Sequence, residues 1–192
     1  IIEILRRIEE SPYHWPIGRT PFQKIAYFGT LMGLKTGLEY KRGSFGPFSY
    51  QLKNKLTKLV NNGLISEEKY RNMFAVKVGR TFKDARESYK KEIESAEPII
   101  EKLTDLFCRL NTRQAEIAAT VHFAGKTMKV NFGTKPSEED VLNEVMHWKQ
   151  KRKPPYDNLQ IAKAIRNLAV HGWLDIAPSA KFPKEVEVEL EV

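Results

Sequence analysis

Apolar residues recur at intervals of three and four along most of this chain, and this spacing predicts helices. The first clear case covers residues 20–33, where Thr20 is the predicted N-cap and Pro21 the first helical residue. The second covers residues 49–63 and ends at a glycine, which readily adopts the left-handed conformation that ends a helix. A short strand is predicted for Met73–Gly79, which is rich in Val and other strand-forming side chains.

The second half of the chain is also mainly helical by its pattern. Residues 81–110 are dense with charge, and Pro98 is expected to kink or split the helix that they predict. Thr112 is the predicted N-cap of the next helix. Ser137 precedes a further helix and has Asp140 three residues later, which predicts a capping box.

Two of these segments share one pattern. Residues 51–65 and 160–174 align at a constant offset of 109, with apolar positions matched and with Gly63 over Gly172. In a winged-helix unit, the third helix ends at a glycine and is followed by the first strand of the wing. The closing "EVEVELEV" alternates as a return strand would. Chance also explains such a match, since many helices end in Gly followed by apolar residues.

The predicted fold class is therefore mainly α with short β elements, helix-rich, with two winged-helix-like units joined by a long helical segment. The units are 1–79, which contains the loop "GSFGPF", and 112–192, with 80–111 as the helical connector. Together they are expected to form one compact domain. The chain begins inside an apolar helical pattern without Met, so we expect a fragment of a longer protein.

Composition indicates the cellular compartment in which the protein is expected. No apolar run approaches the roughly 20 residues that cross a bilayer, so no membrane partner is expected. The chain has a single cysteine, Cys108, which has no partner for a disulfide within the chain. This usage favours a reducing compartment, and the predicted localisation is cytoplasmic.

Positive charge is concentrated in the first third of the chain. The net charge is +8, and residues 1–60 carry ten cations and four anions. A second cluster lies at Trp148–Lys153. This asymmetry suits nucleic acid or an acidic protein surface, and a Lys-rich solvated exterior fits it equally well. The candidate nucleic-acid-binding residues are six of the cations in these two regions: Lys53, Lys55, Lys58, Lys151, Arg152 and Lys153.

Groups for catalysis are few. The four histidines fall in different predicted elements without metal-ligand spacing: His14, His122, His147 and His171. Cys108 follows Leu and Phe and is interpreted as a small buried hydrophobe. We predict no catalytic residue, cofactor, metal or small-molecule substrate. An enzyme that gathers the histidines around Cys108 in space is the third hypothesis.

The loop "KRGSFGPFSY", Lys41–Tyr50, is the most distinctive segment. Its two glycines permit positive φ, and Pro47 is expected to preset the first turn of the following helix. Phe45 and Phe48 either seal the flanking helices or stand outward as anchors for a partner. The candidate partner-binding residues are six charged, polar and aromatic members of this loop: Lys41, Arg42, Ser44, Phe45, Phe48 and Tyr50.

The ordered set "GRT…QK…YF…G…RGSFGPF…L…L…NNGLI" runs through Gly18–Ile65, about a quarter of the chain. It resembles the C-terminal domain of DarG antitoxins and, more distantly, the Panacea antitoxin domain. The layout stays similar to about residue 130. In DarG systems this domain follows a macrodomain, which the resemblance implies is missing here.

The resemblance implies toxin neutralisation by direct protein contact. The partner would be a DarT-like ADP-ribosyltransferase, which modifies thymidine in single-stranded DNA, and the missing macrodomain would remove that mark. Binding is expected to block the toxin's DNA or NAD site. A chain at +8 mimics DNA poorly overall, so mimicry would need a local acidic patch. The candidate acidic segments are residues 84–105 and the tail residues Glu187, Glu189 and Glu191.

A winged-helix transcriptional regulator that binds DNA is the alternative. The cations at Lys53, Lys55 and Lys58 lie on the predicted third helix of the first unit, where contacts to DNA phosphates are needed.

Overall fold

The computed structural model describes residues 1–70 and 73–183, apart from the side chains of residues 130 and 132. It confirms a mainly helical fold with short β elements. The helices in this part of the chain are α1 (Ile2–Glu10), α2 (Arg19–Leu31), α3 (Tyr50–Asn61), α4 (Phe82–Ser88), α5 (Lys90–Ser95), α6 (Glu97–Arg109), α7 (Thr112–Phe132), α8 (Glu138–Trp148) and α9 (Asn158–Val170). The strands there are β1 (Lys41–Gly43), β2 (Gly46–Phe48), β3 (Ile65–Tyr70) and β4 (Met73–Val78).

The chain forms two compact units. The first comprises Ile1–Gly43 and Pro47–Glu116, and the second comprises Ser44–Gly46 and the chain from Ile117 onward. Helix α7 therefore begins in the first unit and continues in the second. The predicted division into units 1–79 and 112–192, joined by a connector at 80–111, stays a prediction.

The first unit is built around α2 and the antiparallel β3–β4 pair, whose register runs from Ile65 opposite Val78 to Tyr70 opposite Met73. The chain before α2 extends this sheet, since the Val76 N–H donates to the Ile17 carbonyl at 2.7 Å. Helices α1 and α6 pack against each other, and α1 and α2 both contact β4. The large apolar side chains that fill this core are fully buried: Ile4, Leu5, Ile8, Phe22, Ile25, Phe28, Leu103 and Phe107.

The second unit packs α8 against α9. Val141 and Val145 of α8 and Ile161 and Ile165 of α9 are fully buried. Gly125 of α7 allows close approach of a neighbouring loop, because an added Cβ would lie 2.8 Å from Leu174 Cδ1. A larger residue at this helix position would require the Leu174 side chain to move.

The two segments of the sequence repeat end their helices in the same way. Gly63 and Gly172 both have a φ of 68°. The Leu64 N–H donates to the Leu59 carbonyl at 2.9 Å, and the Trp173 N–H donates to the Leu168 carbonyl at 2.8 Å. These bonds belong to the Schellman motif, which uses a left-handed glycine to satisfy the last carbonyls of a helix.

After these glycines the two segments differ. In the first unit α3 is followed by the β3–β4 pair, in the order that the winged-helix prediction requires. In residues 173–183 of the second unit the chain forms one isolated bridge, Ser137 with Ala177, and no longer strand. The predicted return strand "EVEVELEV" lies outside the described residues.

Two predicted N-caps are wrong by one or two residues. Helix α2 begins at Arg19 after Gly18, which is held extended by its bridge to Ala75, so Thr20 lies inside the helix. Helix α7 is capped by Asn111, whose Oδ1 accepts from the Gln114 N–H at 3.0 Å. The capping box of Ser137 and Asp140 is confirmed. Sequence patterns thus located these helices but not always their first residue.

The charged segment 81–110 is three helices, not one. It breaks at Ala96, so that Pro98 lies in the first turn of α6, where its missing N–H costs little. A second break, which the sequence pattern did not predict, falls at Tyr89 between α4 and α5.

Glu3 is the centre of a buried ionic cluster in the first unit. Its side chain is 3% exposed and accepts hydrogen bonds from Arg6, Arg7 and Arg86. Burial opposes ionisation of this carboxyl, but the bonds from Arg6, Arg86 and Arg7 outweigh burial and lower its pKa to about 2. The cluster joins α1 to α4, and Arg7 extends it to Glu97 of α6 at 2.7 Å.

We expect Glu3→Gln to lower the free energy of unfolding by about 3 kcal/mol at neutral pH, because three guanidinium groups lose their shared counterion. The pKa of Glu3 in the folded state lies below its ordinary value of 4.5. Its stabilisation is therefore full above that value and is lost as the pH falls toward about 2. Urea unfolding at several pH values should show that the difference in the free energy of unfolding between the two proteins decreases over this range. A difference that does not change with pH would contradict the assignment.

Gly79 lies where β4 meets the end of α3. An added Cβ would lie 2.1 Å from the Gly63 carbonyl oxygen and 2.7 Å from the Ile65 nitrogen. Both are backbone atoms, which move only if the glycine stop of α3 or the β3–β4 pair shifts. The start of the β3–β4 pair thus depends on a residue without a side chain.

Gly79→Ala should therefore lower the free energy of unfolding by about 2–3 kcal/mol through steric overlap. Gly37→Ala is the matched control, since Gly37 has open space around it and a φ of 63°. Its cost should be about 1 kcal/mol, from backbone strain alone. Equal losses in urea unfolding would contradict the close contact at Gly79.

Candidate functional site

The loop "KRGSFGPFSY" is a β-hairpin followed by a helix start. Strands β1 and β2 form a two-stranded sheet, and Ser44 and Phe45 make the turn between them. Gly46 has a φ of 84°, which a side chain would disfavour. The prediction that Pro47 begins the helix is wrong, because Pro47 lies in β2. Helix α3 begins at Tyr50 and is capped by Ser49, whose Oγ accepts from the Leu52 N–H at 3.3 Å.

Two buried polar side chains of α2 hold this junction, and sequence analysis did not identify them as site residues. Gln23 bonds both backbone groups of Ser49, donating to its carbonyl at 3.1 Å and accepting from its N–H at 3.2 Å. Lys24, which is 1% exposed, donates from Nζ to the Pro47 carbonyl at 2.7 Å. We call Gln23 and Lys24 the clamp. The signal in the sequence was a polar pair inside the apolar run "PFQKIAYF".

The aromatic residues of the loop are presented differently. Phe45 in the turn is 59% exposed and Tyr50 is 71% exposed. Phe48 is half-buried, and its ring meets that of Tyr50 edge to face at 5.0 Å. We call Phe48 and Tyr50 the aromatic pair. Phe45 thus stands outward, which is one of the two alternatives predicted for the phenylalanines. Phe48 lies between the two, since it is only partly exposed.

The polar candidates of the loop are exposed at Lys41, Arg42 and Ser44. The Ser44 carbonyl accepts from Nζ of Lys149, a buried residue of the second unit, at 2.6 Å. The turn is therefore fixed by a backbone contact, while the Ser44 side chain faces solvent.

The cations of α3 are exposed. Lys53, Lys55 and Lys58 are all exposed, and α3 contains no acidic residue. Lys55 also donates from Nζ to the Thr36 carbonyl at 3.1 Å. Helix α3 therefore carries positive charge that its own side chains do not neutralise.

The second cationic cluster is only partly a surface feature. Lys151 and Lys153 are exposed. Arg152 is half-buried with its guanidinium 4.5 Å from the centre of the Tyr156 ring, and it donates to the Pro154 carbonyl at 3.1 Å. Arg152 thus has a structural contact within its own loop, and the exposed charge of this cluster is smaller than the sequence suggested.

The candidate acidic segment 84–105 is partly neutralised. Glu97 is paired with Arg7, and the Arg7 hydrogen bond holds the pKa of the Glu97 carboxyl below its ordinary value. Asp105 accepts from Arg109 Nη2 at 2.9 Å. The acidic candidates Glu187, Glu189 and Glu191 lie outside the described residues.

The groups considered for chemistry are in ordinary structural surroundings. Burial and the nearby charge of Lys126 lower the pKa of His122 to about 4, so it is neutral at physiological pH. Burial raises the pKa of the Cys108 thiol. His171 is the C-cap of α9, and His14 Nδ1 lies 3.2 Å from the Trp15 carbonyl. Among the described residues, no three side chains able to bind a metal lie together.

Comparison of the chain with protein-family models and with curated proteins found no match. The resemblance to the DarG domain therefore rests on the residues of Gly18–Ile65 alone. Several of these residues have a defined structural task, since Gln23 and Lys24 hold the junction, Gly46 shapes the hairpin and Gly63 ends α3. In the described residues no helix is both long and apolar enough to span a membrane.

Proposed function

We propose that this chain is the toxin-binding domain of a DarG-type antitoxin and neutralises a DarT-like ADP-ribosyltransferase by direct contact. The observation that carries the proposal is the exposed aromatic surface of the loop, held by the clamp inside the segment that resembles DarG. Binding would cover the DNA or NAD site of the toxin. Enzymatic removal of ADP-ribose would belong to a macrodomain elsewhere in the protein.

The loop has the composition of a protein-binding surface. Tyrosine and phenylalanine give large contact areas with few rotatable bonds, and they are frequent among the residues that dominate binding energy. Tyr50 at 71% exposed would lose much of its contact with water in a complex. Lys41 and Arg42, which are exposed in the same loop, would supply directional hydrogen-bond donors to carboxylate or carbonyl groups of the partner.

The positive charge of the chain favours an interface based on shape and apolar contacts over one in which the chain mimics DNA. The chain carries +8, and two carboxylates of the 84–105 segment are already paired with arginines. A DNA-binding groove on the toxin is expected to be basic and would repel most of this surface. An interface centred on apolar contacts avoids this repulsion.

We expect Phe45→Ala and Tyr50→Ala to weaken the complex with the toxin by about tenfold or more each, because each removes an exposed aromatic anchor. Their unfolding temperatures should change little, since both side chains are exposed. The affinity is measured by calorimetry with purified toxin carrying an inactivating substitution.

Tyr13→Ala is the matched control, because Tyr13 is 86% exposed and lies in the loop before α2. It should bind as the unmodified chain does. Unchanged affinity in both loop variants would remove the loop from the interface, and absence of any complex with the unmodified chain would reject the function.

A second candidate, a winged-helix regulator that binds DNA, is favoured by one specific observation. Helix α3 carries three exposed lysines and no acidic residue, and it is followed directly by the antiparallel β3–β4 pair. In winged-helix proteins this is the order of recognition helix and wing. Autoregulation of the operon would be the corresponding role.

If this second function holds, affinity for promoter DNA should fall steeply as salt rises. Replacing Lys53 and Lys58 with Gln should then reduce the slope of log affinity against log salt by about 2, since each phosphate contact contributes about 0.9. Fluorescence anisotropy with labelled promoter DNA measures both quantities. No binding at low salt would exclude this function.

A further inference from the structure

We propose that Gln23 and Lys24 are positioning residues, which hold the aromatic pair in the geometry that binds the partner. This inference rests on the proposed function of the loop as a protein-binding surface. Neither side chain reaches the surface itself, since Gln23 is 4% and Lys24 1% exposed. They act through the backbone of residues 47–49.

The location of the clamp is unusual for polar groups. Every residue from Pro21 to Gly29 of α2 is buried, and the neighbours of the clamp, Phe22 and Ile25, are fully so. Burying an ammonium group is costly unless hydrogen bonds compensate for its lost hydration. A Lys is therefore a poor choice for stability alone at this position, and its bond to the Pro47 carbonyl suggests another role.

The hydrogen bonds of the clamp fix the backbone on both sides of Phe48. Lys24 holds the Pro47 carbonyl, and Gln23 holds both the N–H and the carbonyl of Ser49. Ser49 in turn caps α3 through its Oγ and so fixes the helix start at Tyr50. The two rings of the aromatic pair are thereby set relative to each other before any partner arrives.

Such preorganisation raises affinity because less conformational freedom is lost on binding. A positioning role of Lys24 can also be tested separately from a role in stability. Replacing the buried ammonium with an apolar group of similar length removes its desolvation cost, and this offsets the cost of leaving the buried Pro47 carbonyl without this donor. Lys24→Met should therefore keep the fold while it releases the Pro47 carbonyl.

The test measures local order and binding separately. In Lys24→Met we expect an unfolding temperature close to that of the unmodified chain, and hydrogen exchange about tenfold faster at the Ser49 and Leu52 amides. We also expect about tenfold weaker binding to the inactivated toxin. Lys83→Met is the matched control, because Lys83 is exposed on α4, and it should change none of these quantities.

If these amides exchange as slowly in Lys24→Met as in the unmodified chain, the positioning role is overturned. This holds at any measured affinity for the toxin. Faster exchange with unchanged affinity would overturn it as well. If the unmodified chain binds no toxin, the proposed function fails, while the exchange rates still decide whether the clamp orders the loop. If Lys24→Met does not fold, Gln23→Met removes the two bonds to Ser49 and is judged by the same criteria.

Discussion

The hydrogen bond from the buried Lys24 ammonium to the Pro47 carbonyl joins the central helix of the first unit to the hairpin that follows it. With the two bonds from Gln23 to Ser49, it sets where β2 ends and where α3 begins. The position of α3 then determines which lysines face solvent and where its glycine stop leads into the β3–β4 pair. Both functions considered for this chain, protein binding and DNA binding, therefore depend on the same buried polar contact.

Local patterns predicted much of the fold. The capping box of Ser137, the glycine stops at Gly63 and Gly172 and the strand Met73–Val78 follow from signals within a few residues of each other. Two of the errors came from distant contacts. The bridge of Gly18 to Ala75 moved the start of α2, and the hairpin placed Pro47 in a strand where its fixed φ is also tolerated.

The candidate site was predictable only in part, for the same reason. The sequence identified the loop through its composition, and the aromatic pair lies there. It did not reveal the clamp, because the partners of Gln23 and Lys24 are backbone atoms more than 20 residues away. Phe45 is exposed and Phe48 is half-buried. This difference likewise depends on packing, which the composition of the loop does not encode.

The proposed function requires the loop Lys41–Tyr50 to contact the partner. Hydrogen exchange of the chain with and without the inactivated DarT-like toxin tests it most directly. Toxin is expected to slow exchange in the segment 41–52 more than in α8 and α9. Unchanged exchange in that segment, with protection elsewhere on the chain, would contradict it.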